Sequence, residues 1–424
     1  MSMTYIQSAD YPRVAVIGGG AAGMMAAGTA LSYGASVTVY EHTGRLGKKL
    51  AITGKGRCNV TNDCDINTFL ESVRRNPRFL YAALNALPPA DTISFFEGLG
   101  VKLKTERGRR VFPESDKAID IVNALREYCS AAEFIYEKVK SISFNDGVFL
   151  VNANTTQEYD KVIIATGGKS YPLTGSDGSG YKLAIKLGHS VTALTPSLIP
   201  LESNSPLCPA LQGLSLKNVA ITINDANGRA IYRDFGEMMF THFGVTGPMI
   251  LSASAHLHDE DIASLTLLID LKPALDEKTL DARLLSDFSA GANKDFINIL
   301  GKLLPSKFIE PFTELVGIDP HKKVNSLTKE ERSKILHTLK SVEIPLLRKR
   351  PIGEAIITSG GVEVKEITPK TMESKIVPGL FFAGEVIDVD AYTGGFNLQI
   401  AFSTAFLAGK SAAEGYLYQV TAVR

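Results

Sequence analysis

Arg13-Val-Ala-Val-Ile-Gly18-Gly19-Gly20-Ala21-Ala22-Gly23-Met-Met-Ala-Ala-Gly28 is the stretch on which the reading of this chain turns. An apolar run in strand idiom leads straight into G-x-G-x-x-G, and an Ala-rich helical run follows. In such a turn Gly18 makes the tight bend, Gly20 lets a pyrophosphate approach the backbone, and Gly23 lets helix and strand pack closely. The helix start at Ala21 and Ala22 offers N–H groups and a partial positive charge to the phosphates. A second strand, Ala35-Ser-Val-Thr-Val-Tyr40, ends in Glu41, 23 residues after Gly18, where an acid accepts ribose hydroxyls. Strand, turn, helix and acid together predict a dinucleotide site. The Glu41 carboxylate would repel a 2′-phosphate, which favours FAD or NAD over NADP.

A chain of 424 residues exceeds one simple core, so two or three domains are expected. Lysine plus arginine and aspartate plus glutamate number 45 each, so no overall field points to nucleic acid or a membrane as a partner. Cys58, Cys64, Cys129 and Cys208 include no C-x-x-C pair, which argues against a redox-active disulfide and against a metal site. No apolar run reaches the roughly 20 residues of a membrane span. The N-terminus lacks the charged and apolar regions of a secretory leader. A cytoplasmic protein with reduced thiols is expected.

After Glu41, His42 to Leu50 and Thr53-Gly-Lys-Gly-Arg-Cys-Asn-Val-Thr-Asn62 are glycine-punctuated and basic. Following the ribose-binding acid, they read as a loop carrying the far side of the pyrophosphate and the flavin. The expected contacts there are His42, Arg45, Gly47, Lys48, Gly56, Arg57, Cys58, Asn59, Thr61 and Asn62; as a thiol, Cys58 reads as packing. Residues 77–130 read as helical, with the basic, aromatic Thr105–Pro113 as a surface hairpin between helices. Phe134–Tyr136, Val139–Phe144 and Val148–Val151 read as an antiparallel meander around the Asn145-Asp146-Gly147 turn. Tyr159 to Gly168 is a buried strand ending in Ala165-Thr166-Gly167-Gly168. This resembles the second hallmark of FAD proteins of the glutathione-reductase type, in which Ala165, Thr166 and Gly167 would lie near the nucleotide and Val139 against the adenine.

From about 191 the character changes. Hairpin strands at 219–224 and 230–240 and a strand at 265–270 precede helices over about 275–340, one opened by a Thr328/Glu331 capping box. Arg348-Lys349-Arg350 ends this region and reads as a solvated run. The chain then returns to nucleotide chemistry. Gly379-Leu-Phe-Phe-Ala-Gly384-Glu385 is a buried strand followed by an acid suited to ribitol hydroxyls. Gly394, Gly395, Phe396, Asn397, Leu398 and Gln399 open a helix whose positive end suits an anionic reduced flavin. Coupled to the first fingerprint, these motifs narrow the cofactor to FAD.

Taken together, Val16–Gly23, Gly54–Asn62, Phe240-Thr-His-Phe-Gly-Val-Thr-Gly-Pro248, Thr358-Ser-Gly-Gly-Val362 and Gly384–Gln399 resemble one family over nearly the whole chain. It is the FAD-binding family that includes aminoacetone oxidase and the 3-dehydro-bile acid Δ4,6-reductase. The resemblance implies an α/β fold: a Rossmann-like FAD-binding domain of glutathione-reductase type at 1–190 and 353–424. It would be split by an inserted domain at 191–352 with a β-barrel-like part and a helical part.

A flavin passes hydride through N5, so the expected activity is that of an FAD-dependent oxidoreductase acting on a small molecule. The leading expectation is an NAD(P)H-fed reductase of an unsaturated small organic compound, steroid-like ones included. An oxygen-using oxidase of a small amine and a non-catalytic redox sensor are the alternatives. With no second fingerprint, NAD(P)H would bind transiently. His242 and Tyr392 are the candidate proton donors.

Overall fold

The apolar runs at Arg13–Ile17 and Lys161–Ile164 suit strands covered on both faces, and both lie inside a parallel sheet. The computed structural model describes residues 11–257 and 261–421. They form two compact units, one of residues up to Ser197 plus those from Ile352, the other of Leu198–Pro351.

In the first unit five parallel strands run in the order Leu380–Phe382, Lys161–Ile164, Arg13–Ile17, Ser36–Tyr40, Glu133–Ile135. The last strand corrects the sequence reading. Phe134 and Ile135 pair in parallel with Val39 and Tyr40, because an extended apolar segment gains more at a sheet edge than in a meander. Val139 lies in the connection that follows, not in a strand. The antiparallel sheet proper is Ser141–Asn145, Val148–Asn152 and Thr156–Tyr159. Thr105–Pro113 is a hairpin, Leu103–Glu106 with Arg110–Pro113, and Thr61–Asn62 pairs against its second strand.

Helix Ala21–Ser32 is buried almost all round and packs against the long helix Phe396–Thr421. Its closeness to the first strand has a specific cause. A Cβ on Gly23 would lie 1.7 Å from the Gly18 carbonyl oxygen, so only hydrogen fits there.

The second unit holds a seven-stranded antiparallel sheet. Its order is Val342–Pro345, Thr266–Asp270, Ser215–Asn224, Ala230–Thr241, Gly244–Thr246, Leu201–Glu202, Arg348–Lys349. Only Leu346 and Leu347 join the two edge strands, so the sheet must curl until its edges meet, which is the barrel-like part. Helices Glu277–Ala290, Phe296–Leu300, Ser306–Val316 and Lys329–Lys340 cover its core, and the Thr328/Glu331 capping box is formed. Arg348-Lys349-Arg350 is not a solvated run. Arg348 and Arg350 both bond the buried Glu202 carboxylate, at 2.7 and 2.8 Å. Among the described residues no helix is long and apolar enough to cross a membrane.

Gly23→Ala should therefore cost at least about 3 kcal/mol, read as a lower urea midpoint. Gly20→Ala, where a Cβ meets nothing within 4 Å, should unfold at the wild-type midpoint. Equal midpoints for all three proteins would refute the close approach.

Candidate flavin site

Ligands of open parallel sheets bind outside the carboxyl ends of the strands. Here those ends frame a cavity lined by Ile17, Gly18, Tyr40, His42, Val139, Thr166 and Gly175, among others. Gly20 faces open space, and helix Ala21–Ser32 begins with neither a side-chain cap nor an acid in its first turn. A pyrophosphate would therefore meet a helix N-terminus with no competing carboxylate. Glu41 is set by backbone. Its carboxylate accepts the Gly19 and Thr43 N–H groups at 2.9 and 2.7 Å, while exposed His42 lies beside it. The cavity, the bare helix start and the acid fit the adenosine half of FAD, and Val139, although outside a strand, lines the same cavity.

A second cluster lies where the chain's two halves meet. Glu385 accepts Lys49 Nζ at 2.8 Å, Ser170 Oγ at 3.0 Å and the Thr358 N–H at 2.8 Å, and Lys49 also donates to Ser170 at 2.7 Å. The basic loop is docked from Gly47, whose N–H bonds the Gly19 carbonyl at 2.8 Å. It turns Arg45 and Lys48 outward and Lys49 inward. Thr358 opens one of the stretches that carry the family resemblance, whereas Lys49 and Ser170 are not distinguished by the sequence. The basic loop pointed to the neighbourhood, but two adjacent lysines in an irregular turn carry no periodicity to tell them apart.

The third part ties loop 58–62 to the start of helix Phe396–Thr421. Thr61 Oγ1 donates to Gln399 Oε1 at 2.6 Å, and Asn62 Nδ2 donates to the Gly108 and Gly394 carbonyls, both at 3.0 Å. The fully buried Gln399 amide donates to Leu87 O, Thr92 Oγ1 and Ser403 Oγ. Asn397 brackets Ala391 with two bonds. Asn59 faces the Thr61 and Val111 carbonyls and the Gly395 N–H. Phe396 packs edge-on against Phe69. A Cβ on Gly395 would lie 2.3 Å from Thr61 backbone, so the glycine lets the two segments touch. Thr61, Asn62, Asn397 and Gln399, all expected at the cofactor, thus also bond other parts of the scaffold.

Arg57 differs from expectation in the same way. It bonds Glu106 and, at 2.8 Å, Asp116, and its guanidinium lies 4.2 Å over the Phe112 ring. Two carboxylates match its charge, so it is not a vacant anion site; Gly56 precedes it in the same turn. Burial pushes the Cys58 thiol up to about 12, an inert packing thiol. Tyr392 is half-buried with Arg74 over its ring at 5.3 Å. His242 is exposed in the two-residue turn after strand Ala230–Thr241 of the other unit, its ring edge-on to Phe243.

Asp388 and Asp390 lie within the Gly384–Gln399 stretch. Arg75 bonds Asp388 through two nitrogens, at 2.7 and 2.9 Å. Asp390 is fully buried and accepts Ser197 Oγ at 2.8 Å and Ser359 Oγ at 3.3 Å. Burial pushes its carboxyl up to about 6, against the lowering influence of the two hydroxyls and Arg75, with Asp388 adding to the rise.

Fold and site define an FAD-dependent oxidoreductase whose Rossmann-like domain is interrupted by an inserted unit. Residues 12–411 match the HI0933-like protein Rossmann domain, and the chain belongs to that family. It is 29% identical over 411 residues to the 3-dehydro-bile acid delta(4,6)-reductase of Clostridium scindens, covering 95% of this chain and 99% of that protein. It is 30% identical over 400 residues to the ribosomal RNA dihydrouridine synthase of Escherichia coli, covering 92% and 95%. Among solved structures, the 3-ketosteroid delta1-dehydrogenase of Sterolibacterium denitrificans in complex with 1,4-androstadiene-3,17-dione is 13% identical, covering 96% of this chain and 100% of that one. Its TM-score is 0.50, a likeness of fold alone.

Lys49→Ala leaves the one-fifth-exposed Glu385 carboxylate without its cation. It should destabilise the chain by about 1–3 kcal/mol, read as a lower melting temperature, whereas Lys48→Ala should change nothing. Asp390 sets a pH dependence. The folded chain holds its proton up to about pH 6 and the unfolded chain releases it near 3.8, so folding takes up a proton between these values and stability falls as pH rises through that window. Asp390→Asn should gain up to about 3 kcal/mol over the wild type near pH 7 and nothing near pH 4, by urea unfolding. A constant difference at both pH values would contradict the assignment.

Proposed function

We propose that this chain is an NAD(P)H-fed reductase of a carbon–carbon double bond conjugated to a carbonyl. One observation carries the reading. Two relatives that match more than nine-tenths of the chain have names that describe the same bond change on different molecules. A 3-oxo compound with Δ4 unsaturation and the uracil ring both present a C=C beside a C=O, and each product has gained two hydrogens.

FAD, when bound, supplies a two-electron hydride donor for such a carbon. The chain's own residues then have defined tasks. The start of helix Ala21–Ser32 meets the pyrophosphate, and Glu41 takes the adenosine ribose. Glu385, charge-balanced by Lys49, offers its remaining lone pairs to ribitol hydroxyls. The loop at Gly394 and Gly395 approaches the ring through backbone. Tyr392, in the same unit, is the group we assign to deliver the proton to the α-carbon. His242 stands at an exposed turn with no oriented partner, which leaves it the weaker choice.

The test is anaerobic. The FAD-loaded protein is mixed with NADH or NADPH, the flavin's visible band is followed, and then a 3-oxo-Δ4 steroid or uridine-containing RNA is added. Bleaching by a nicotinamide followed by recolouring with either acceptor is the expected result, and mass spectrometry should find two added hydrogens. Recolouring by RNA alone would select uridine as the substrate. Bleaching by a small amine with rapid recolouring in air would replace this reading with the oxidase. No turnover with any donor or acceptor would leave a redox sensor.

A further inference from the structure

We propose that the hairpin tip Arg107-Gly108-Arg109-Arg110 is a phosphate-binding fork that seats the backbone of a single-stranded RNA beside the Gly394–Gly395 loop. The proposal rests on the conjugate-reductase reading with uridine as the acceptor, and it assigns the surface on which such a strand would lie.

Three observations carry it. The first is unmatched charge. Arg107, Arg109 and Arg110 are all exposed, and among the described residues none of them forms an ion pair. Of the acids on and after the first strand of the hairpin, Glu106 pairs with Arg57 and Asp116 with Arg57 and Lys104, while Asp63, whose N–H bonds the Arg109 carbonyl, is a carboxylate beside the tip. An otherwise neutral chain therefore concentrates three exposed guanidinium groups, none of them in an ion pair among the described residues, within four residues.

The second is preorganisation. The Asp63 N–H bonds the Arg109 carbonyl at 2.8 Å, and Arg109 is held at φ 58°, which a non-glycine residue adopts only when its surroundings impose it. Arg110 Nε donates to the Arg107 carbonyl at 3.0 Å, and its guanidinium lies 5.8 Å from the Phe112 ring centre. A tip fixed at several points loses little entropy on gripping an anion.

The third is position. The Asn62 amide donates to the Gly108 carbonyl and to the Gly394 carbonyl, both at 3.0 Å. One side chain thus spans the gap between the arginine tip and the loop we assign to the flavin ring. A strand whose phosphates rest on the fork would have a base within reach of the reacting centre. Guanidinium groups suit phosphodiester oxygens, which they grip through two parallel hydrogen bonds.

The experiment uses the FAD-loaded full chain and a fluorescein-labelled single-stranded oligouridylate, with binding read by anisotropy over a salt series. Wild type should bind with a salt-dependent affinity. The variant R107A/R109A/R110A should keep its flavin and its melting temperature. It should bind about 100-fold more weakly near 0.1 M salt, and its log–log salt slope should be shallower by about 2, as expected for three lost phosphate contacts at ~0.7 each. The variant R107K/R109K/R110K keeps the charge and should keep the slope. No binding by wild type, or equal binding by wild type and the alanine variant, would overturn the proposal. So would an alanine variant that binds RNA normally but shows a raised KM for NADPH, which would give the fork to the dinucleotide. Binding is measured apart from turnover. A wild type that binds RNA through the fork yet reduces no uridine would sink the reductase reading and leave the fork standing, and uridine reduction with an indifferent fork would do the reverse.

Discussion

The bond between Lys49 and Glu385 joins residues 336 positions apart, and the first unit depends on contacts of this kind. Thr61 with Gln399, Arg75 with Asp388 and Ile164 with Phe382 repeat it along one seam. Closing so long a loop costs entropy before any contact is gained. The chain reduces that cost by leaving and returning at one place. Thr195–Ser197 pairs antiparallel with Ile357–Ser359, so the two ends of the insertion are clamped together within the first unit. Asp390 bonds a serine on each of those strands, which puts a buried carboxyl at the same clamp.

How much was legible in the sequence follows from the range of each interaction. The glycine turn, the strands at 13–17 and 36–40, the acid after them and the Thr328 capping box are set by neighbours a few residues away, and each reads directly. Side-chain destinations are set by partners hundreds of residues off. Gln399 read as a cofactor ligand because its motif adjoins the glycines, but its four bonds go to Thr61, Leu87, Thr92 and Ser403. Lys48 and Lys49 are identical in type and adjacent, and only the docking of Gly47 on Gly19 decides which points inward. Residues 133–135 have the composition of any short strand, and the free edge beside Ser36–Tyr40 decided their sheet.

Charge shows the same division between local and long-range information. Equal totals of acid and base argue against a field over the whole surface, and that argument holds only for the sum. Pairing redistributes it. Arg57, itself expected at the flavin, is neutralised by Glu106 and Asp116, while the arginines a few residues beyond Glu106 form no ion pair among the described residues. A buried acid such as Glu202 absorbs Arg348 and Arg350, which in sequence look more like an interaction patch than Arg107 to Arg110 do.

The site is built largely from backbone and from side chains that bond one another, and this bears on how one framework carries different reactions. Helix start, glycine loops and the Thr61–Gln399 network make no demand on the identity of a substrate. Relatives whose names specify a bile acid and an RNA nucleoside each align with more than nine-tenths of this chain, so no added domain accounts for the difference between them. The distinction must then reside in side chains at the border of a shared site. Those are the positions with the fewest internal bonds. The exposed tip at Arg107 to Arg110 is one of them.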